Sequence, residues 1–185
     1  MYKIKDKNWI VVLMAIISMA AFTACGGDDE NDDGNIPGTD EDTELIIGVH
    51  RIDVHFGDNA YGCSLMTSFT GVKADGGVSK LYENGKQLEL EDNVLLSREI
   101  SDYSISTEKT CWTLRETIFM APAEVRTIDH DVTVTLVAYV NDKRIKTQVC
   151  TFPKGYASMY VPFSTDDTEL WNVILTDEDG NKTMN

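Results

Sequence analysis

The chain has 185 residues, 42% of them apolar, and a formal net charge of −15 at pH 7. This acidic excess argues against nucleic acid as a partner, because phosphate binding needs clustered lysine and arginine side chains. It argues equally against electrostatic docking on anionic lipid, and the length fits one folded domain with one hydrophobic core.

The first 24 residues have the pattern of an export signal. Lys3, Lys5 and Lys7 precede an almost unbroken apolar run over residues 9–22. That run has about 14 residues, fewer than the ~20 that a transmembrane helix needs. A basic start, a short apolar stretch and small residues at its end are typical of a cleaved signal peptide. We therefore expect residues 1–24 to be removed.

The residues that follow resemble the lipobox of bacterial lipoproteins, in which a bulky apolar residue and two small residues precede a cysteine. Here these are Phe22, Thr23, Ala24 and Cys25. The resemblance implies that the Cys25 thiol takes a diacylglycerol, that the chain is cut before it, and that the new amine is acylated, for example with palmitate. Three acyl chains would hold the protein firmly, since each buried methylene contributes about 0.8 kcal/mol. The resemblance, shared with small surface lipoproteins of Gram-negative bacteria, predicts a protein anchored in the outer membrane. We expect it to be exposed at the cell surface, with the periplasmic face as the alternative.

Residues 26–44 predict a solvated spacer between the anchor and the folded part. They contain nine acidic residues and no basic one. Such a segment cannot bury enough apolar surface to fold, and its like charges keep it extended. We therefore predict that residues 25–44 comprise the lipidated cysteine and a disordered linker. Residues 29–40 match the start of a calcium loop, but Asp40 stands where a bidentate Glu is needed and Pro37 occupies a ligand position. We predict neither a metal nor a cofactor.

From Leu45 onwards, apolar residues recur with a period of two, which is typical of β-strands. Ile52, Val54 and Phe56 share one face of the first predicted strand, and Arg51, Asp53 and His55 share the other. A second strand is predicted over 63–72, and a hairpin over 78–90 turns at Asn84-Gly85, a dipeptide that suits a type I′ turn. Further strands are predicted over 110–120, with Trp112, Leu114 and Ile118 on one face, and over 132–140, 145–152, 156–163 and 170–176; residues 94–105 are less regular.

Seven to nine short strands without a helical period predict an all-β sandwich or barrel in a single domain over residues 45–185. The tail after Asp177 has no apolar pattern, so we expect it to be frayed. Cys63, Trp112 and Cys150 resemble the Cys…Trp…Cys order of immunoglobulin domains. We therefore predict an immunoglobulin-like β-sandwich, with a jelly roll as the alternative.

Three cysteines remain once Cys25 carries lipid, namely Cys63, Cys111 and Cys150. An exported protein can form disulfides, and three thiols allow one bridge in three ways or none. Their wide spacing is unlike the close pairs of a zinc site.

The sequence contains no motif of a known catalytic class, such as Gly-x-Ser-x-Gly, a phosphate loop or His-Glu-x-x-His. Asp53 and His55 lie two apart on one strand face, a spacing at which a carboxylate can assist an imidazole base. Without a nucleophile nearby, a solvated polar strand face is the better interpretation. We therefore predict that the protein is not an enzyme.

Aromatic residues near the C-terminus are the candidate ligand-binding residues. Trp171 shares a predicted strand face with Val173 and Leu175, and Tyr156 and Tyr160 lie in the preceding strand. Such rings can stack on sugars, although large aromatics are usually buried. The sequence thus predicts a non-catalytic binding or adhesion module for a glycan or a surface protein. The alternative is a structural or assembly subunit of a cell-envelope complex that pairs through strand edges.

Overall fold

A computed structural model describes residues 46–89, 96–166 and 171–185. All of them belong to the compact unit Thr43–Asn185. The predicted signal peptide, the lipobox with Cys25, the acidic linker and its calcium-like loop lie outside the described residues. Those interpretations therefore stay predictions.

Twelve β-strands and no α-helix occur in the described residues. The strands are β1 (His50–Phe56), β2 (Cys63–Lys73), β3 (Leu81–Glu83), β4 (Lys86–Gln87), β5 (Leu96–Arg98), β6 (Tyr103–Thr107), β7 (Cys111–Pro122), β8 (Val132–Val140), β9 (Lys143–Phe152), β10 (Tyr156–Ser164), β11 (Ile174–Asp177) and β12 (Lys182–Met184). This part of the chain accordingly holds no helix long and apolar enough to span a membrane.

The strands form two six-stranded sheets. Sheet 1 has the order β4-β3-β6-β1-β8-β9, and sheet 2 has the order β12-β11-β10-β7-β2-β5. Every pair of named strands is antiparallel. The all-β prediction is confirmed, and the two layers are consistent with a sandwich. The choice between immunoglobulin-like and jelly-roll topology stays a prediction.

One hydrophobic core joins the two sheets. Its fully buried side chains alternate along each strand with exposed or partly exposed ones, as a strand with one face inward requires. Sheet 1 contributes Ile52, Val54, Leu136 and Phe152, and sheet 2 contributes Leu65, Ile118, Met159, Val161 and Leu175. Each such side chain contributes about 1.5–3 kcal/mol when it is removed from water. The alternation read from the sequence is therefore also the main source of stability.

Two tight turns set the register of their hairpins. Asn84 and Gly85 have φ values of 48° and 81°, as the type I′ turn predicted between β3 and β4 requires. Asn141 and Asp142 take φ values of 49° and 63° between β8 and β9. Asparagine and aspartate tolerate this left-handed region better than other non-glycine residues, which explains why the chain reverses at these positions.

The prediction that Trp112 faces the core together with Leu114 and Ile118 is wrong. The β2–β7 register shifts between Val72 and Lys73, which pair with Thr113 and Cys111, so Trp112 has no residue opposite it. A bulge of this kind changes the alternation of the strand. Trp112 is only partly buried, and the Arg115 guanidinium carbon lies 5.8 Å from the centroid of its ring.

The prediction of a frayed C-terminal tail is also wrong, since Lys182–Met184 forms strand β12 and pairs with β11. The Asp177 carboxylate closes the turn between the two strands. It accepts hydrogen bonds from the backbone N–H groups of Asp179 at 3.0 Å and Asn181 at 2.8 Å. The Asp177 side chain therefore stabilises this turn.

The possible disulfide does not form, because Cys63, Cys111 and Cys150 are all free thiols. Cys63 pairs with Pro122 at one end of the β2–β7 ladder, and Cys111 pairs with Lys73 at the other end. The rise along β2 from Cys63 to Lys73 puts the two thiols roughly 30 Å apart, far beyond the reach of a bridge. Cys150 lies in sheet 1, where burial raises the pKa of its thiol to about 11.

Candidate functional site

Trp171 lies beside the edge strand of sheet 1, just before β11. It is 40% exposed, although a side chain of this size is usually buried. It lines a cleft of about 390 Å³ together with β9 residues, the following turn and the C-terminal strand. Other residues of the cleft wall are Gln148, Val149, Thr151, Pro153, Asn172 and Asn185.

Gln148 holds the backbone of Trp171 in place. Its side-chain Nε2 donates to the Trp171 carbonyl oxygen at 2.7 Å, and the Trp171 N–H donates to its Oε1 at 3.3 Å. Gln148 is only 5% exposed, so these hydrogen bonds are protected from water on the β9 side. The side-chain amide acts as a neighbouring strand would, and the indole is therefore presented from a fixed backbone.

The other two predicted rings lie elsewhere, and the three do not form a single platform. Tyr156 packs against the hydrophobic core. Tyr160 is on the outer face of sheet 2, because its neighbours Met159 and Val161 point into the core. The sequence could not separate these environments, since they depend on which strands lie next to β10.

Tyr160 belongs to a row of apolar side chains that crosses sheet 2. The strand registers place its members opposite one another on five neighbouring strands, and we call them the outer row: Met66, Phe119, Tyr160, Ile174 and Met184. Met184 is 71% exposed and the other four are partly exposed. Only the long-range register brings these residues together, so the row could not be predicted from local patterns.

A polar cluster that the sequence analysis missed lies inside the core. Glu116 on β7 is 2% exposed and accepts a hydrogen bond from the hydroxyl of Tyr103 on β6. The guanidinium carbon of Arg98 lies 4.1 Å from the centroid of the Tyr103 ring, and Arg98 forms an ion pair with Glu83 of the opposite sheet. The inward position of Glu116 could have been predicted from the sequence. Glu116 lies two residues from both Leu114 and Ile118 and so shares their inward face.

Burial raises the pKa of the Glu116 carboxyl to about 8, so this side chain is neutral at pH 7. Burial also raises the pKa of Tyr103 well above its ordinary value, and the nearby Glu116 adds to the effect. Acids tuned to this range occur in active sites. Glu116, however, lies in the core and is 2% exposed, so a substrate could not reach it.

His50 is a second buried titratable group, and both of its ring nitrogens have hydrogen-bond partners. Its Nε2 lies 3.0 Å from the carbonyl oxygen of Ile46, to which it donates, and its Nδ1 lies 2.6 Å from Thr165 Oγ1. Thr165 Oγ1 also accepts from the N–H of Leu114 at 2.8 Å, and in the neutral ring with its proton on Nε2 the Thr165 hydroxyl donates to His50 Nδ1. Burial lowers the pKa of His50 accordingly.

Asp53 and His55 do not act on each other. The Asp53 carboxylate accepts from Ser104 Oγ at 2.6 Å and pairs with Arg51 Nε at 3.2 Å. His55 Nδ1 instead lies 3.0 Å from the Asp102 carboxylate. In the described ranges, no group of three or more His, Cys, Asp or Glu side chains could hold a metal ion.

The architecture and the cleft define a two-sheet, all-β domain. Among solved structures, the chain is similar to a DUF4425 domain from Bacteroides vulgatus, with 16% identity, a TM-score of 0.52, and coverage of 63% of this chain and 92% of that one. It is also similar to a DUF4425 family protein from Bacteroides ovatus, with 21% identity, a TM-score of 0.53, and coverage of 64% of this chain and 94% of that one. At these identities the likeness shows the fold alone. No protein-family model and no curated protein sequence matches the chain.

Proposed function

We propose that this protein is a non-catalytic binding module, anchored by lipid at Cys25 to the outer membrane and exposed at the cell surface. The observation that carries the proposal is Trp171, a large aromatic ring 40% exposed at the wall of a cleft and held by its backbone. A fixed ring next to amide groups suits the stacking of a sugar. The volume of about 390 Å³ fits a small ligand such as the end of a glycan chain.

Binding to sugars is tested by applying the full-length protein, in detergent, to an array of short oligosaccharides. We expect hits that Trp171→Ala removes. Tyr61→Ala is the matched control, because Tyr61 is also an exposed ring, 65% exposed and stacked 4.2 Å from His130. An absence of oligosaccharide hits, together with stoichiometric capture of one envelope protein, would replace the glycan with a protein ligand. Failure of both assays would refute the binding function.

The anchor is tested separately with Cys25→Ser. We expect the variant to leave the membrane fraction or to remain unprocessed, because the thiol that takes the lipid is absent. Protease treatment of intact cells then measures surface exposure. A protein that is protected until the outer membrane is broken faces the periplasm, and the proposed surface location would be wrong.

A structural subunit of an envelope complex is the second candidate function, and the edge of sheet 1 favours it. Strand β9 is at the end of that sheet, and its Val149 is 62% exposed. Exposed edges with apolar side chains can pair with a strand of another protein. Cross-linking on intact cells through a photoreactive residue at Thr147 would capture such a partner, and a monomeric product would argue against this function.

A further inference from the structure

The outer face of sheet 2 carries no charged side chain over the central parts of β2, β7, β10 and β11. The outer row crosses its middle, and Ser68, Thr117 and Pro162 lie next to that row on one side. On the other side the flanking residues are Ser64, Ala121, Ser158 and Thr176, and Lys182 on β12 lies opposite Thr176 at the edge of the sheet. We call these three rows, up to but not including Lys182, the uncharged face. One residue in four of this protein is charged, so a surface of this extent without charge is unexpected.

The shape and chemistry of the uncharged face suit a long, flat ligand. Neighbouring strands lie about 4.8 Å apart, so the five side chains of the outer row span about 19 Å. The rings of Phe119 and Tyr160 are adjacent at its centre and partly exposed. Serine and threonine hydroxyls border them on both sides, and each hydroxyl can donate and accept a hydrogen bond.

We propose that the uncharged face binds a neutral, linear glycan that lies along the outer row, across the strands. This inference deepens the proposed function and rests on it, since it adds a surface for the length of a glycan to a cleft that takes a chain end. The apolar C–H face of each sugar packs on Phe119 or Tyr160, and its hydroxyl edges meet the flanking rows. An acidic glycan would lose hydration over Phe119 and Tyr160 without meeting a cation there, because Lys182 lies at the sheet edge, beside the far end of the outer row.

The test measures the binding of full-length protein in detergent to neutral polysaccharides (a β-glucan, an α-glucan and a mannan) and to acidic polygalacturonate. Phe119→Ser and Tyr160→Ser remove one ring each and leave a hydroxyl like those beside it. We expect each to weaken binding to a neutral polymer about tenfold, which corresponds to about 1.4 kcal/mol for one stacking contact. Tyr139→Ser, on the outer side of sheet 1, is the matched control and should bind like the wild type.

A further variant separates loss of binding from loss of folding. Thr117→Glu keeps both rings and puts a charge beside Phe119 at a partly exposed position, so it should weaken the same binding while circular dichroism stays unchanged. Binding of this variant at wild-type strength would overturn the proposal. The proposal would also be overturned if the protein preferred polygalacturonate to the neutral polymers. A third contrary result would be binding to a neutral polymer that Trp171→Ala abolishes while the Phe119 and Tyr160 variants keep it. The last result would leave the binding function intact and assign it to the cleft. If no polysaccharide binds, the uncharged face is refuted, while capture of an envelope protein would still support a binding function.

Discussion

Replacing Glu116 by glutamine tests the strongest electrostatic feature of the core. Burial raises the pKa of the Glu116 carboxyl from 4.5 to about 8. Between these values the folded protein keeps a proton that the unfolded chain has released. The contribution of Glu116 to the free energy of unfolding therefore falls as pH rises, by roughly 1.4 kcal/mol per pH unit and about 5 kcal/mol in total. Below pH 4.5 this contribution is fully present, and above about pH 8 no more is lost.

Glutamine keeps the shape of the side chain and is neutral at every pH. Its carbonyl oxygen can accept the hydrogen bond that the Tyr103 hydroxyl now donates to Glu116. We therefore expect Glu116→Gln to match the wild type within about 1 kcal/mol near pH 5 and to exceed it by several kcal/mol at pH 8. Urea unfolding at half-unit intervals from pH 5 to 8.5, followed by tryptophan fluorescence, gives the two slopes.

Glu124→Gln is the matched control, because it removes an exposed carboxylate and should leave the slope unchanged. Equal slopes for the wild type and Glu116→Gln would refute the reasoning, as would a stability advantage of the variant that shrinks as pH rises. Either result would mean that Glu116 is ionised in the folded state at neutral pH.

Three further predictions concern the core and the thiols. Because burial lowers the pKa of His50, the stability of the Glu116→Gln variant should fall as pH drops below 6.5. Adding His50→Leu should remove that fall and cost roughly 1–3 kcal/mol at pH 7 by leaving the Ile46 carbonyl unpaired. Phe152→Ala should cost about 3–5 kcal/mol in urea unfolding, since Phe152 is 0% exposed, and a loss below about 1 kcal/mol would contradict its place in the core. Iodoacetamide without reductant should label Cys63, Cys111 and Cys150 completely in the unfolded protein, and any thiol that needs reductant would reveal a disulfide.

Local patterns predicted the strands well. The alternation in β1 and β8, and the Asn84-Gly85 turn, depend on neighbours within a few residues, and the structure has them as expected. Trp112 was placed wrongly, because a bulge in β7 is decided by the register with β2 and leaves no local signal. The C-terminal hairpin was missed because its strand β12 is short and fully exposed, so it carries no apolar alternation.

The candidate site was less predictable than the fold. Trp171 was singled out as a large aromatic, yet its exposure depends on Gln148, which is distant in sequence and pairs with its backbone. The outer row needs the registers of five strands at once, and no residue of it stands out by itself. Glu116 was the avoidable omission, since its position in the strand alternation already placed its carboxyl inward.

The place of β1 in sheet 1 has a mechanical consequence. The chain enters the described domain at Ile46 and then forms β1, which lies between β6 and β8. Residues Arg51–Val54 pair with β6 and His50–Phe56 pair with β8. A pull from the N-terminal side, directed along the strand, therefore loads both ladders together in shear. A pull on the edge strand β12 would instead peel its hydrogen bonds one after another. The domain should thus resist tension far better at the end that the proposed lipid tether would pull than at its C-terminus.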